Sequence, residues 1–158
     1  VETAALWSVL GVTLLVCVVT DLRERRIYDL VTWPAMGLAL GLRALLSGVG
    51  DLDAGLSSGA AGALLGLGLF GLVALAGRGL GWGDVKLMGV VGATLGFQLA
   101  VAALLFTSLA GAAQAVGALF WRRHTNSAQT PGHIPYGVAI AVGSVWAIWW
   151  GRANLLGH

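Results

Sequence analysis

Apolar residues fall into six blocks, 4–20, 30–47, 56–76, 85–95, 99–121 and 134–150, separated by short polar or glycine-rich breaks. Blocks this long and this poor in charge predict membrane-spanning α-helices, because crossing the hydrocarbon core takes about 20 apolar residues. The fourth block is too short to cross alone as an ideal helix. Tilt, local bilayer thinning or continuity with the preceding Gly81-Trp82-Gly83-Asp84 would extend it. Only Gly96-Phe97-Gln98 separates the fourth block from the fifth, which predicts a helical hairpin. The expected architecture is one all-α integral membrane domain over residues 1–158, a bundle of about six transmembrane helices.

Composition agrees. The chain is 58% hydrophobic and 10% charged, against about 25% charged in a soluble domain. The first block has no basic stretch before it and is followed by Arg23, Arg25 and Arg26, so it reads as a span rather than a cleavable signal. The basic residues are scattered through short loops with no aromatic stacking platform, which argues against nucleic acid as a partner. A single cysteine, Cys17, excludes an intramolecular disulfide and a cysteine-clustered zinc site. Buried in the first span, it reads as a small hydrophobe.

The same basic residues set orientation. Arg23, Arg25, Arg26, Arg78, Arg122 and Arg123 lie in the loops after blocks one, three and five, with Lys86 close by. The opposite side has Arg152, Arg43 near the end of block two, and the acidic Asp51 and Asp53. The positive-inside rule then places both termini outside, in a multi-pass protein of the inner (cytoplasmic) membrane, and the arginine loops in the cytoplasm. Asp21 and Asp84 thereby fall together at the cytoplasmic edge. Trp33, Trp82, Trp121, Trp149 and Trp150 sit near the predicted interfaces, as an aromatic belt would. Glycines 55, 59, 62, 66, 68 and 71 line the third block, with Gly111 and Gly117 in the fifth. They suit close helix packing in lipid or room for a substrate helix to dock.

Asp21 and Asp84 are expensive at membrane depth, about 2.5–3.5 kcal/mol each on the lenient insertion scale, and are functional candidates for that reason. Each also has an ordinary explanation: Asp21 as the end of a helix beside Arg23 or Arg25, Asp84 as an N-cap. Asp29, eight residues after Asp21, is a third candidate and suits the start of a helix. As a pair, two carboxylates close enough to share a proton supply one base and one acid near neutrality, which is what hydrolysis of a peptide bond requires. Gly81 and Gly83 allow an extended chain to approach Asp84 closely.

Three stretches carry a family resemblance. Thr20-Asp21-Leu22-Arg23-Glu24-Arg25-Arg26-Ile27-Tyr28-Asp29, Gly81-Trp82-Gly83-Asp84-Val85-Lys86-Leu87 and Ile134-Pro135-Tyr136-Gly137 resemble the motifs of type IV prepilin and preflagellin peptidases, membrane aspartyl proteases of the GxGD type. The second stretch matches GxGDxKL in full. The first departs from the pattern at Tyr28-Asp29, where bacterial members more often carry Pro-Asn. The resemblance implies an Asp21/Asp84 catalytic dyad, with Gly81, Gly83, Lys86, Asp29, Pro135 and Gly137 as substrate-binding or supporting residues, and neither metal nor cofactor. Lys86 then attracts the carboxylate region or a substrate acid, or simply snorkels.

The implied substrate is a prepilin or pseudopilin with a short basic leader ending in glycine, followed by an apolar helix in the bilayer, with pilus assembly machinery as a possible partner. The amino-terminal region with paired cysteines, associated in larger members with N-methylation, is not in this sequence, so peptidase activity without methyl transfer is expected, as in the small peptidases of tight-adherence (Flp) pili. Two other readings use the same carboxylates: a small proton-coupled or ion-translocating protein, and a GxGD intramembrane protease with another substrate. An inactive assembly subunit that kept the fold is a third, against which the presence of both aspartates argues.

Overall fold

A computed structural model describes residues 2–24, 26–51, 53–76, 80–125 and 136–155. Among these every regular element is a helix: α1 (Glu2–Glu24), α2 (Asp29–Leu46), α3 (Leu56–Leu75), α4 (Trp82–Thr125) and α5 (Tyr136–Leu155). The fourth and fifth apolar blocks are the two helical arms of α4, which meet at the non-helical Gly96. Four stretches are long and apolar enough to cross a membrane: α1 from Ala4, α2, α3, and Trp82–Gly117 of α4. The helix expected to end near residue 20 runs on to Glu24, because nothing in Thr20–Glu24 breaks a helix. Asp21 therefore stands in the last turn of α1 rather than just beyond it.

Gly96 has φ 79° and ψ 175°, a region essentially reserved for glycine. A continuous helix would hold residues 82 and 112 about 45 Å apart, yet Leu80 and Ala112 line one cavity. The chain therefore doubles back at Gly96, as the hairpin expectation required. Breaking a helix in apolar surroundings frees carbonyls that must find donors. Arg43, on α2 and only 5% exposed, supplies them. Its Nε donates to Ala93 O at 2.9 Å, one Nη to Thr94 O at 3.0 Å, and the other Nη to Ala54 O at 2.5 Å. Ser58 Oγ of α3 accepts the amide of Phe97 at 3.1 Å just past the break. The positive charge also faces the carbonyl end of the first arm, where the helix dipole favours it.

The first arm is the centre of the molecule: Leu87, Met88, Val90, Val91 and Ala93 are all fully buried. Glycines let α3 reach it. Gly62 and Gly92 meet backbone to backbone with no space for a Cβ, and a Cβ on Gly66 would lie 2.5 Å from Met88 O. Gly68 and Gly117 have open space instead, so only part of the glycine stripe serves packing. The second arm packs on α5, where Gly143 lies against Thr107 and Gly151 against Leu99. Outward faces carry Leu15, Leu64, Leu72, Leu105 and Val145, each more than 60% exposed, the distribution of a multi-pass membrane protein. Trp33, Trp82, Trp149 and Trp150 are on that outer surface too; the side chain of Trp121 lies outside the described residues.

Arg43→Met leaves buried carbonyls without donors and is expected to cost roughly 3 kcal/mol, read as earlier thermal unfolding in detergent. Arg43→Lys should recover only part of that, because an ammonium cannot span Ala93–Thr94 and Ala54 as a planar fork does. At the same end, the amides of Asp53 and Ala54 donate to Asp51 Oδ1 at 2.9 and 3.3 Å. These bonds hold the Asp51 carboxyl below its ordinary value. A lowered carboxyl stabilises the fold above its ordinary pKa and ceases to do so as pH falls through the lowered one. The melting temperature of Asp51→Ala should accordingly lie below wild type at about pH 7 and converge with it at about pH 2.

Candidate active site

The α1–α2 linker, the last turn of α1 and the first turn of α4 meet around a cavity of about 470 Å³ lined by Asp21, Arg26, Ile27, Tyr28, Asp29, Gly81, Gly83 and Asp84. Asp21 and Asp84, 63 residues apart in sequence, thus border one space. Both are buried, at 4% and 3% exposure. Cys17, one turn before Asp21 and itself buried, lies within electrostatic reach of both carboxylates.

Each aspartate is held by a glycine amide. Gly137 N donates to Asp21 Oδ2 at 3.2 Å, and Gly81 N donates to Asp84 Oδ2 at 3.1 Å. Asp84 is the third residue of α4, so its carboxylate reaches back to the residue before the helix, as the acid of a capping box does. It is therefore not the N-cap that the sequence suggested as one explanation. A Cβ on Gly137 would sit 2.8 Å from Asp21 Oδ2, so any other residue there would displace the carboxylate. Gly83 packs directly on Ile27, where a Cβ would fall 2.7 Å from Ile27 Cβ. This glycine lets the α1–α2 linker close one wall of the cavity.

Lys86 and Asp29 form an ion pair at 2.6 Å, which settles what each touches. The pair ties the start of α2 to the first turn of α4 at the cavity rim, and Asp29 also stands in the first turn of α2, where the helix dipole favours an acid. Tyr28 OH donates to the Glu24 carboxylate across the same linker. That bond and the Glu24 charge push the Tyr28 phenol above its usual value. Sequence reasoning did not single out Arg26, Ile27 or Tyr28 as lining residues. Their signal was membership of the Thr20–Asp29 stretch, since linker conformation leaves no periodic trace. Pro135 lies outside the described residues. Among the described residues no group of three or more histidine, cysteine, aspartate or glutamate side chains is placed to hold a metal.

The type IV leader peptidase family model matches residues 8–116. The chain belongs to that family. The prepilin leader peptidase/N-methyltransferase of Aeromonas hydrophila is 38% identical over 74 residues, 47% of this chain and 24% of that protein. The protein of the same name from Bacillus subtilis (strain 168) is 36% identical over 107 residues, 68% of this chain and 40% of its own length. The chain thus spans less than half the length of these relatives. No solved structure matches it. The family match contains Asp21, Asp29 and the whole GWGDVKL stretch, while Gly137, which holds Asp21, lies beyond it.

The ion pair is a testable link between walls of the cavity. With Asp29 61% exposed, its coupling to Lys86 should be about 0.5 kcal/mol in a double-mutant cycle of Asp29→Asn and Lys86→Met. The exchange Asp29→Lys with Lys86→Asp should restore most of the melting temperature that either reversal alone removes.

Proposed function

We propose that this protein is a membrane-embedded aspartic endopeptidase that removes the short basic leader from type IV prepilin-like precursors, of the Flp/tight-adherence or a related class. Cleavage takes place at the cytoplasmic membrane face, with Asp21 and Asp84 as the dyad. The observation that carries this reading is the convergence of two buried carboxylates from α1 and α4 on one cavity, each oriented by a glycine amide. Family membership supplies the reaction class.

In this reading a water lies between the carboxylates. The ionised aspartate takes its proton as the water oxygen bonds to the scissile carbonyl carbon, and the protonated aspartate gives its proton to the carbonyl oxygen. The resulting tetrahedral intermediate collapses with cleavage of the C–N bond, the leaving amine receiving the proton first taken from water. The base is then ionised again and the acid recovers its proton from the intermediate's hydroxyl. The chemistry calls on the two carboxylates and water. The apolar helix of the substrate stays in the bilayer beside the bundle, while the leader enters from the cytoplasmic side. By the positive-inside argument that side holds the arginine-rich loops, and both termini face outside. An ion pathway is the poorer reading, since the carboxylates gather at one end of α1 and the beginning of α4 rather than near mid-helix.

Asp21→Asn or Asp84→Asn should lower cleavage of a prepilin by about 1000-fold or more while the purified protein keeps its melting temperature. Incubation in detergent followed by sizing of the product reads this directly, and undiminished cleavage by either variant sinks the dyad. Asp29→Asn should lower the rate by about tenfold or less, because it loosens a wall of the cavity rather than removing a reacting group.

A further inference from the structure

A cation stands in the wall of a cavity whose other charged groups are acids. Among the described residues that line the candidate active site, Asp21, Asp29 and Asp84 are acidic and Arg26 is basic. Asp29 has its counter-charge in Lys86, at 2.6 Å. Arg26 forms no ion pair with a described residue, and it is exposed. It lies two residues past the end of α1, and the next residue, Ile27, packs on Gly83. That contact fixes the linker against the first turn of α4, so the wall that carries the guanidinium is held in place.

Hydrolysis of a peptide bond turns one neutral amide into two charged ends. Near neutral pH the amide and a water become a carboxylate on the leader and an ammonium on the rest of the chain, with no net gain or loss of protons. The new carboxylate forms beside two aspartates that share one proton and so carry one negative charge between them. The like charges repel unless a cation faces them. A guanidinium offers a carboxylate two parallel N–H donors and a full positive charge, which an uncharged amide cannot match. A cation in this wall therefore tells the cut leader from the intact bond. The new ammonium has the opposite preference and is drawn to the acids, so the two products are sorted by charge.

We propose that Arg26 binds the newly formed C-terminal carboxylate of the leader, so that this short basic peptide acid is retained in the cavity and inhibits the next cleavage. The inference rests on the peptidase reading of Asp21 and Asp84. An arginine that only marks the cytoplasmic side of the membrane has no preference between peptide ends. The acids of the cavity have the contrary preference, since by themselves they favour the more positive amide form of a peptide over its free acid. Tighter binding of the free acid is thus the signature of a cation placed at the peptide's end.

The test uses one basic leader peptide ending in glycine, labelled with fluorescein at its N-terminus and prepared as the free acid and as the C-terminal amide. Binding to the protein in nonionic detergent is read by fluorescence anisotropy. Wild type should bind the acid about fivefold to tenfold more tightly than the amide. The unlabelled acid should inhibit cleavage of a prepilin more strongly than the amide by the same factor. Arg26→Gln should bring the ratio of affinities to one or below, and Arg26→Lys should keep part of it, with melting temperatures confirming that both fold. Arg26→Met replaces Arg26→Gln if that variant does not. A wild-type ratio of one or less, or a ratio unmoved by removal of the charge, overturns the carboxylate site. Binding is read without turnover, so failure of the peptidase reading is seen separately. Full-length prepilin left uncut by wild type overturns that reading, and with it the leader as occupant, even where an Arg26-dependent preference for the acid persists.

Discussion

A helix cannot be interrupted among apolar side chains unless the backbone groups released at the break find partners, and in this bundle a single guanidinium reaches two of the released carbonyls. Arg43 donates to Ala93, Thr94 and Ala54, and thereby ties α2, the end of the first arm of α4, and the segment leading into α3 at one point. With that junction satisfied, α4 reverses at Gly96 and its first arm becomes the central rod. Asp84 stands at the far end of that rod, so the fold holds the carboxylate at one end by closing the backbone at the other.

Packing then fixes where the rod lies. Gly62 and Gly66 of α3 bring the two backbones into contact with Gly92 and Met88. The second arm and α5 close the other side. These contacts are short and involve backbone, so the rod has little freedom to slide. The aspartates inherit that rigidity. Their glycine amides come from residues at the very start of α4 and α5, where free N–H groups exist because no preceding turn consumes them. Helix starts thus do the orienting, and the polar ends of the helices rather than their apolar faces build the candidate active site.

The sequence displayed much of this without coordinates. Block lengths and low charge were enough for an all-helical membrane chain, and Gly96-Phe97-Gln98 marked the reversal, because only a short glycine-bearing link fits between two apolar blocks. Motif order paired Asp21 with Asp84 and added Gly137 as support. Other features were invisible. Arg43 looked like an ordinary loop-side basic residue, since burial of a charge depends on carbonyls 50 residues away. Lys86 and Asp29 were singled out separately, 57 residues apart, and nothing in spacing says that they meet. The linker residues Ile27 and Tyr28 became walls only through contact with Gly83 and Glu24.

By itself, then, the sequence determined class and approximate span positions and singled out the two aspartates as candidates, because hydrophobicity, helix-breaking residues and isolated charges act locally and leave a readable pattern. Tertiary structure alone decided that the aspartates share a cavity and that each is held by a glycine amide. Those facts are products of helix depth, rotation and close approach, which depend on many distant contacts at once and have no signature in any single stretch of chain.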